Sequence, residues 1–157
     1  MGNDILVQIV KPQLQNVEEI KRLLDHFAGQ QAVLPRSILD ICEKIQMFWI
    51  AKDKTRVIGC VGVQFYPDYF AEIQSLAIDT TYQGAGIGRM LVIQSMEDAR
   101  NYGAKRVFAL TNIPKYFEQF GFNKIEKSSL PQKIWKESIN FELRQNPCHS
   151  AIDLLIT

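Results

Sequence analysis

The sequence predicts an α/β protein: one mixed sheet with helices on both of its faces. Two observations carry this. Strand-like and helix-like apolar periodicities alternate in the order β-α-α-β-β-β-α-β-α-β-β, with no internal repeat, low-complexity tract or linker between them. At 157 residues, with 46% apolar and 22% charged residues, the chain has the length and composition for a single core, so residues 1–157 are expected to form one domain.

Ile5 to Val10 alternates weakly and reads as a first strand. Asn16 with Glu19 has the spacing of a capping box, opening a helix whose apolar face is Val17, Ile20, Leu23, Leu24 and Phe27. A loop then carries Leu34-Pro35-Arg36, and Ser37 with Asp40 caps a second short helix bearing Ile38, Ile41 and Ile45. Phe48 to Ala51 and Val57 to Phe65 form strands on either side of a turn at Asp53-Lys54, the pattern of a hairpin. Tyr66 to Phe70 reads as a loop and Glu72 to Ile78 as the next strand. The long amphipathic helix runs from Gly88 to Tyr102, with Leu91, Met96 and Ala99 inward and Gly103 as its stop. Val107 to Thr111 is a strand, and Pro114 to Phe120 is a short helix opened by proline. Ile125 begins a further strand, and Ala151 to Ile156 is apolar enough for a buried one.

Composition excludes several classes. A formal charge of +1 offers no electrostatic case for nucleic acid or an anionic membrane. Neither a run of membrane-spanning length nor a signal-peptide pattern is present. The three cysteines (Cys42, Cys60, Cys148) have neither a disulfide-framework nor a metal-ligand spacing, so no metal is expected and a reduced cytoplasm is the default setting.

Chemistry concentrates between residues 71 and 89. The strand ending at Ile78 is followed by a short polar turn, then by Gly84, Gly86 and Gly88, then by the long helix. Glycines let backbone N–H groups turn inward, and a helix start adds unpaired donors and the positive end of its dipole, a combination suited to a pyrophosphate. A P-loop would close on Gly-Lys-Ser/Thr, whereas this loop closes on Gly88-Arg89-Met90. A dinucleotide fingerprint wants Gly or Ala where Arg89 stands, and an acidic residue about twenty positions on, where Phe108 and Ala109 stand. Both readings fail.

Gln83-Gly84-Ala85-Gly86-Ile87-Gly88 instead resembles the Gln/Arg-x-x-Gly-x-Gly/Ala signature of the GNAT acetyltransferase superfamily. Ser75-Leu76-Ala77-Ile78-Asp79 before it and Phe117-Glu118-Gln119-Phe120-Gly121-Phe122 after it fall where that family has its cofactor strand and its last-helix Gly-Phe. The resemblance implies the superfamily's fold, a single mixed, mostly antiparallel twisted sheet with helices on both faces, and acetyl-CoA as co-substrate. It implies cofactor contacts from Leu76, Ala77 and Ile78, from the loop Gln83, Gly84, Ala85, Gly86, Ile87, Gly88 and Arg89, and from Asn112 and Phe117. Leu76 to Ile78 would line the pantetheine through backbone groups, which requires a bulge or splay, because a fully paired strand has no N–H to spare. Leu76 and Ile78 also suit an ordinary core strand, and the two roles are compatible. Glu72 is the candidate base, acting through a water, where the superfamily often has a glutamate; the alternative is a solvated strand-end carboxylate. Many relatives have tyrosine, aimed at the leaving thiolate, where this chain has Phe117. Tyr116 is about 100° away on a helix, so it is not expected to take over that role. Asn112 either reaches the pantetheine or caps the helix opened by Pro114.

A closer resemblance, over roughly residues 5 to 136, is to the acetyltransferase domain of short-form N-acetylglutamate synthases. It rests on Leu34-Pro35-Arg36-Ser37, Gly59-Cys60, Glu72 to Ala77, Arg106 to Thr111 and Leu130-Pro131-Gln132-Lys133-Ile134-Trp135. It implies an amino-acid acceptor, glutamate first, acetylated on its α-amino group by direct transfer in a ternary complex, in arginine synthesis. An acidic acceptor needs cations for its carboxylates; Arg36 leads and Lys133 comes second, each also readable as a surface charge, while Arg106 is not chosen. Two departures stand out: Gln64 replaces a basic residue found in some relatives, and a cysteine-rich stretch after Trp135 is lacking. Rival readings are another small-amine or peptide N-terminal acceptor, and a non-catalytic acyl-CoA-binding module. A homodimer through the C-terminal strands is common in the superfamily, and nothing in this sequence fixes it.

Overall fold

A computed structural model describes residues 6–30, 33–130 and 150–156. Among these residues seven strands and four α-helices occur in chain order: β1 (Val7–Val10), α1 (Val17–Ala28), α2 (Ile38–Glu43), β2 (Phe48–Asp53), β3 (Arg56–Tyr66), β4 (Phe70–Ile78), α3 (Ile87–Asn101), β5 (Arg106–Thr111), α4 (Pro114–Glu118), β6 (Asn123–Ile125) and β7 (Ser150–Leu155). The strands form one sheet in the order β1-β2-β3-β4-β5-β7-β6. Every pairing is antiparallel except β4 with β5, which are joined through α3 as a crossover. The mixed, mostly antiparallel sheet expected from sequence is therefore present.

Alternation along the strands divides the core. Leu91, Val92, Met96 and Ala99 of α3 pack on one face of the sheet against Ile58, Val63, Ala71, Ile73 and Val107. On the other face, Ile20 and Leu24 of α1 and Ile41 of α2 cover Phe48, Ile50 and Val57. All of these apolar side chains are buried, so each face is sealed by its helix layer.

Several local expectations need correction. Asn16 and Glu19 do not form a capping box for α1. A 3₁₀ turn (Leu14–Asn16) runs straight into the helix, so Asn16 already has helical backbone. Its Oδ1 accepts from Gln13 N at 2.8 Å, and the Glu19 carboxylate accepts from Val57 N at 2.9 Å, pinning the start of β3. Ser37 does cap α2, accepting from Asp40 N at 3.0 Å, but α2 ends at Glu43 and Ile45 lies in a separate 3₁₀ turn. The loop after β3 is shorter than Tyr66 to Phe70, because Tyr66 and Phe70 pair across the strands; the positive φ angles fall at Asp68 and Tyr69. Ile125 ends β6 and does not begin it.

Two irregularities in β4 break the regular sheet. Between Cys60↔Ala77 and Gly62↔Gln74, β4 holds one residue more than β3, and the bulge places Ser75 at φ 57°. On its other side β4 pairs with β5 only through Phe70↔Arg106, Ala71↔Val107 and Glu72↔Phe108. Beyond Glu72 the two central strands part.

Candidate active site

The parting of β4 and β5 opens a cleft of ≈ 640 Å³. One wall is β4 from Ile73 to Ile78, the other is Ala109 to Ile113 with Tyr116 and Phe117 of α4, and one end is the glycine loop. Among the described residues the β4 edge along this wall has no strand partner past Glu72, so its backbone polar groups face the cleft instead of a ladder. This is the splay and bulge that the proposed cofactor role of Leu76, Ala77 and Ile78 requires. Leu76 and Ile78 are half-buried and Ala77 is buried, so the same residues also serve the core.

The loop is held open by backbone conformation. Gly84 has φ +84° and Gly86 has φ +82°, values that suit glycine. A Cβ added at either would meet nothing within 4 Å, so both face open space. Gly86 is the N-cap of α3, and no side chain caps that end, leaving first-turn N–H donors directed at the cleft with the positive end of a 15-residue helix dipole behind them. Gln83, Gly84, Gly86, Ile87, Gly88 and Arg89 line the cleft; Ala85 is exposed beside it. Gln83 Nε2 donates to Ile78 O at 3.2 Å, tying the loop to β4, and Arg89 Nη1 donates to Gln119 Oε1 at 3.3 Å, tying it to α4. A Cβ on Gly88 would lie 2.6 Å from Tyr116 Oη, so glycine there makes room for the phenol. Burial pushes the Tyr116 phenol above its ordinary range, with the Arg89 charge opposing.

Opposite the loop, Asn112 is exposed and lines the cleft. It does not cap α4: the N-cap is Ile113, whose N–H donates to Thr111 Oγ1 at 3.0 Å. Phe117 is buried and lines the cleft while packing on Phe120 and Phe122.

At the point of divergence sits Glu72, 0% exposed, which removes the solvated-carboxylate alternative. Its Oε1 accepts from Tyr66 Oη at 2.7 Å and from Gln74 Nε2 at 3.1 Å. Gln74 Nε2 also donates to Gln64 Oε1 at 3.0 Å, and Gln74 Oε1 accepts from Arg36 Nη2. Arg36 is 2% exposed and is not a surface charge. Its Nε donates to Ser75 Oγ at 2.9 Å and its Nη1 pairs with Asp40 at 2.6 Å. Desolvation pushes Asp40 upward, but hydrogen bonds from Lys44 and Arg36 and their charges outweigh it, and the carboxyl ends below its ordinary range. Arg36 thus lies behind the β4 wall, its guanidinium fixed by three partners. Arg106 pairs with Asp153 of β7 and is committed to the sheet. Lys133, Trp135, Cys148 and His149 lie outside the described residues.

Sequence reasoning assigned no site role to Tyr66, Gln74, Ser75 or Tyr116. For Gln74 a signal existed: two polar residues two apart in an apolar strand, Glu72 and Gln74, must share a face of the sheet. Among the described residues no group of three or more His, Cys, Asp or Glu is arranged to hold a metal, and no helix is long and apolar enough to cross a membrane.

Residues 14–122 match the family model described as Acetyltransferase (GNAT) family. An uncharacterized N-acetyltransferase of Chlorobaculum tepidum is 38% identical over 128 residues, covering 82% of this chain and 83% of that protein. An amino-acid acetyltransferase of Mycobacterium tuberculosis is 29% identical over 130 residues, covering 81% and 74%. The crystal structure of Rv2747 from Mycobacterium tuberculosis, in complex with CoA, superposes with a TM-score of 0.85 at 25% identity, covering 96% of this chain and 99% of that one.

Proposed function

The chain belongs to the acetyltransferase (GNAT) family, and from that premise we propose that it acetylates the α-amino group of an amino acid, with glutamate the first candidate, by direct transfer from acetyl-CoA in a ternary complex. Membership of the family, together with its relatives, makes the chain an acetyl-CoA-dependent N-acetyltransferase. What carries the amino-acid assignment is a buried carboxylate, Glu72, and a buried guanidinium, Arg36, joined through Gln74 on the β4 wall of a cleft whose end is an uncapped helix start.

Acetyl-CoA supplies the activated thioester. The first-turn N–H groups of α3 and the backbone of the Gly84–Gly88 loop hold its pyrophosphate, with Arg89 as a nearby cation. The unpaired edge at Leu76, Ala77 and Ile78 hydrogen-bonds the pantetheine, and a backbone N–H there stabilises the oxyanion that develops on the thioester carbonyl. Asn112 and Phe117 form the facing wall. Glu72, through a water, takes the proton the acceptor amine must lose. The amine nitrogen then bonds to the carbonyl carbon and the C–S bond breaks. The thiolate leaves well enough near neutral pH that Phe117, with no proton to give, is tolerated in place of tyrosine. Arg36 is the carboxylate anchor of this reading, with two of its five N–H donors beyond those bound to Ser75, Asp40 and Gln74. Lys133 is the second cation proposed for the acceptor.

Support comes from the M. tuberculosis relative, whose name gives its activity as amino-acid acetylation, and from Rv2747, solved with CoA. Product analysis after incubation with acetyl-CoA and L-glutamate tests the proposal. N-acetylglutamate as product supports it. Unmodified glutamate, beside protein that binds acetyl-CoA, overturns the acceptor assignment.

A further inference from the structure

From the hydrogen bonds around Glu72 we infer that Gln74 is a positioning residue, holding the proposed base in place through an amide whose direction is set by Arg36. The inference rests on the base role proposed for Glu72. Gln74 is 4% exposed, lies on the cleft wall and has polar partners at both ends of its amide. Amide oxygen and nitrogen are hard to tell apart by shape, but here chemistry decides. A guanidinium can only donate, so the end facing Arg36 Nη2 is the oxygen. The nitrogen then faces Glu72 and Gln64, and its two N–H groups match the two acceptors found there, Glu72 Oε1 at 3.1 Å and Gln64 Oε1 at 3.0 Å.

The geometry has a functional consequence. Glu72 Oε1 receives both Gln74 Nε2 and Tyr66 Oη at 2.7 Å, so one oxygen of the carboxylate is clamped and the carboxylate plane is fixed. A carboxylate fixed in this way keeps a constant orientation, which is the geometric requirement for proton transfer from a bound acceptor. Because Arg36 holds the other end of the amide, a change at the guanidinium is transmitted to the base through one side chain. The titratable and charged groups around this network include Arg36, just before α2, Asp40 of α2 with Lys44 just past its end, Tyr66 and Cys60 on β3, and Glu72 itself. Burial keeps the Cys60 thiol neutral, at about 12, so it adds no charge.

The test uses Gln74→Glu and Gln74→Met beside Glu72→Gln. Gln74→Glu keeps an oxygen toward Arg36 and nearly the same volume, but places a second carboxylate where Glu72 now receives a donor. The expected result is a fall in kcat at neutral pH of roughly ten- to a hundredfold, the scale of a hydrogen bond to a charged group. The acidic limb of the kcat/KM profile should also move to higher pH, because like charges in one site resist ionisation together. Acetyl-CoA KM should hold within about twofold, since the glycine loop is untouched. Gln74→Met removes donor and acceptor without adding charge; kcat should fall on the same scale with the acidic limb nearer that of wild type. Should Gln74→Glu fail to fold, the split between kcat and acetyl-CoA KM in Gln74→Met decides the matter. A lowered melting temperature with wild-type kcat and pH profile in the folded variants would overturn the inference, leaving Gln74 a packing residue. If Glu72→Gln is also fully active, the base assignment fails with it; if Glu72→Gln is inert while both Gln74 variants are normal, only the positioning role is lost.

Discussion

Replacing Gly86 by alanine separates the conformational role of the loop from its ligand-binding role. Gly86 has φ +82° and ψ 9°, and a Cβ built there meets nothing within 4 Å, so the substitution causes strain but no clash in the free protein. Left-handed backbone costs an L-residue about 1–2 kcal/mol. The loss of unfolded-chain freedom on going from glycine to alanine returns about 0.4–1 kcal/mol. The net cost is about 1 kcal/mol, a fall in melting temperature of roughly 2–4 °C for a chain of this size. Gly86, however, lines the end of the cleft proposed for the pyrophosphate, so the added methyl competes with the ligand for that space. Losing one charge-assisted N–H contact there is worth about 1.5–3 kcal/mol, or roughly a ten- to hundredfold rise in the Kd of CoA. Gly103 supplies the control: φ is +83°, nothing lies within 4 Å of its Cβ, and it stands just past the far end of α3, away from the cleft. Differential scanning fluorimetry and calorimetric titration with CoA should show similar thermal losses for Gly86→Ala and Gly103→Ala, with weakened binding in the first alone. Equal CoA affinity in both would refute the placement of the pyrophosphate.

Three further outcomes are expected. Arg36→Ala should destabilise the fold by about 2–4 kcal/mol, because it leaves Gln74 Oε1 and Ser75 Oγ without their buried donor. It should also raise the acceptor KM while acetyl-CoA affinity holds, and Arg36→Lys should rescue neither, since one ammonium cannot reach three partners; denaturant melts and steady-state kinetics check both points. Asp40, whose folded pKa is depressed, stabilises the fold above the ordinary carboxylate value of 3.8 and loses that contribution as pH falls through the lower folded value, so Arg36→Ala should flatten the acid limb of a stability titration. Cys60, with its thiol raised from 9.0 to about 12 by burial, should resist a thiol reagent at pH 8 until the protein unfolds, and stability should decline between those values because only the unfolded thiol ionises there; ready labelling in the native state would contradict its burial.

Much of this architecture was legible in the sequence because its signals are local. Val17, Ile20 and Leu24 recur at helical spacing and are buried on α1, and Ser37 lies three residues before the N–H that it caps. The glycine loop was legible because positive φ at Gly84 and Gly86 is a property of single residues. What depends on the partner strand was not. That Glu72 is the last residue of β4 to pair with β5 depends on where two strands diverge, and no spacing within either encodes it. Arg36 could be picked as a functional cation, but its commitment to Ser75 and Gln74 spans 39 and 38 residues and depends on the α2 layer closing over the sheet. Asn16 misled because its capping chemistry served a preceding 3₁₀ turn, a choice between two local partners that the capping pattern does not distinguish.

Free-thiol release from acetyl-CoA, measured for the wild type and Glu72→Gln against the twenty amino acids with no-acceptor and enzyme-free controls, tests the proposed reaction at its chemical step. Selective release is expected with an amino acid carrying a side-chain carboxylate, glutamate foremost, with a large loss of that turnover in Glu72→Gln at near-normal acetyl-CoA affinity. Silence across the whole panel from a protein that binds acetyl-CoA, or full turnover in Glu72→Gln, would contradict the proposed mechanism.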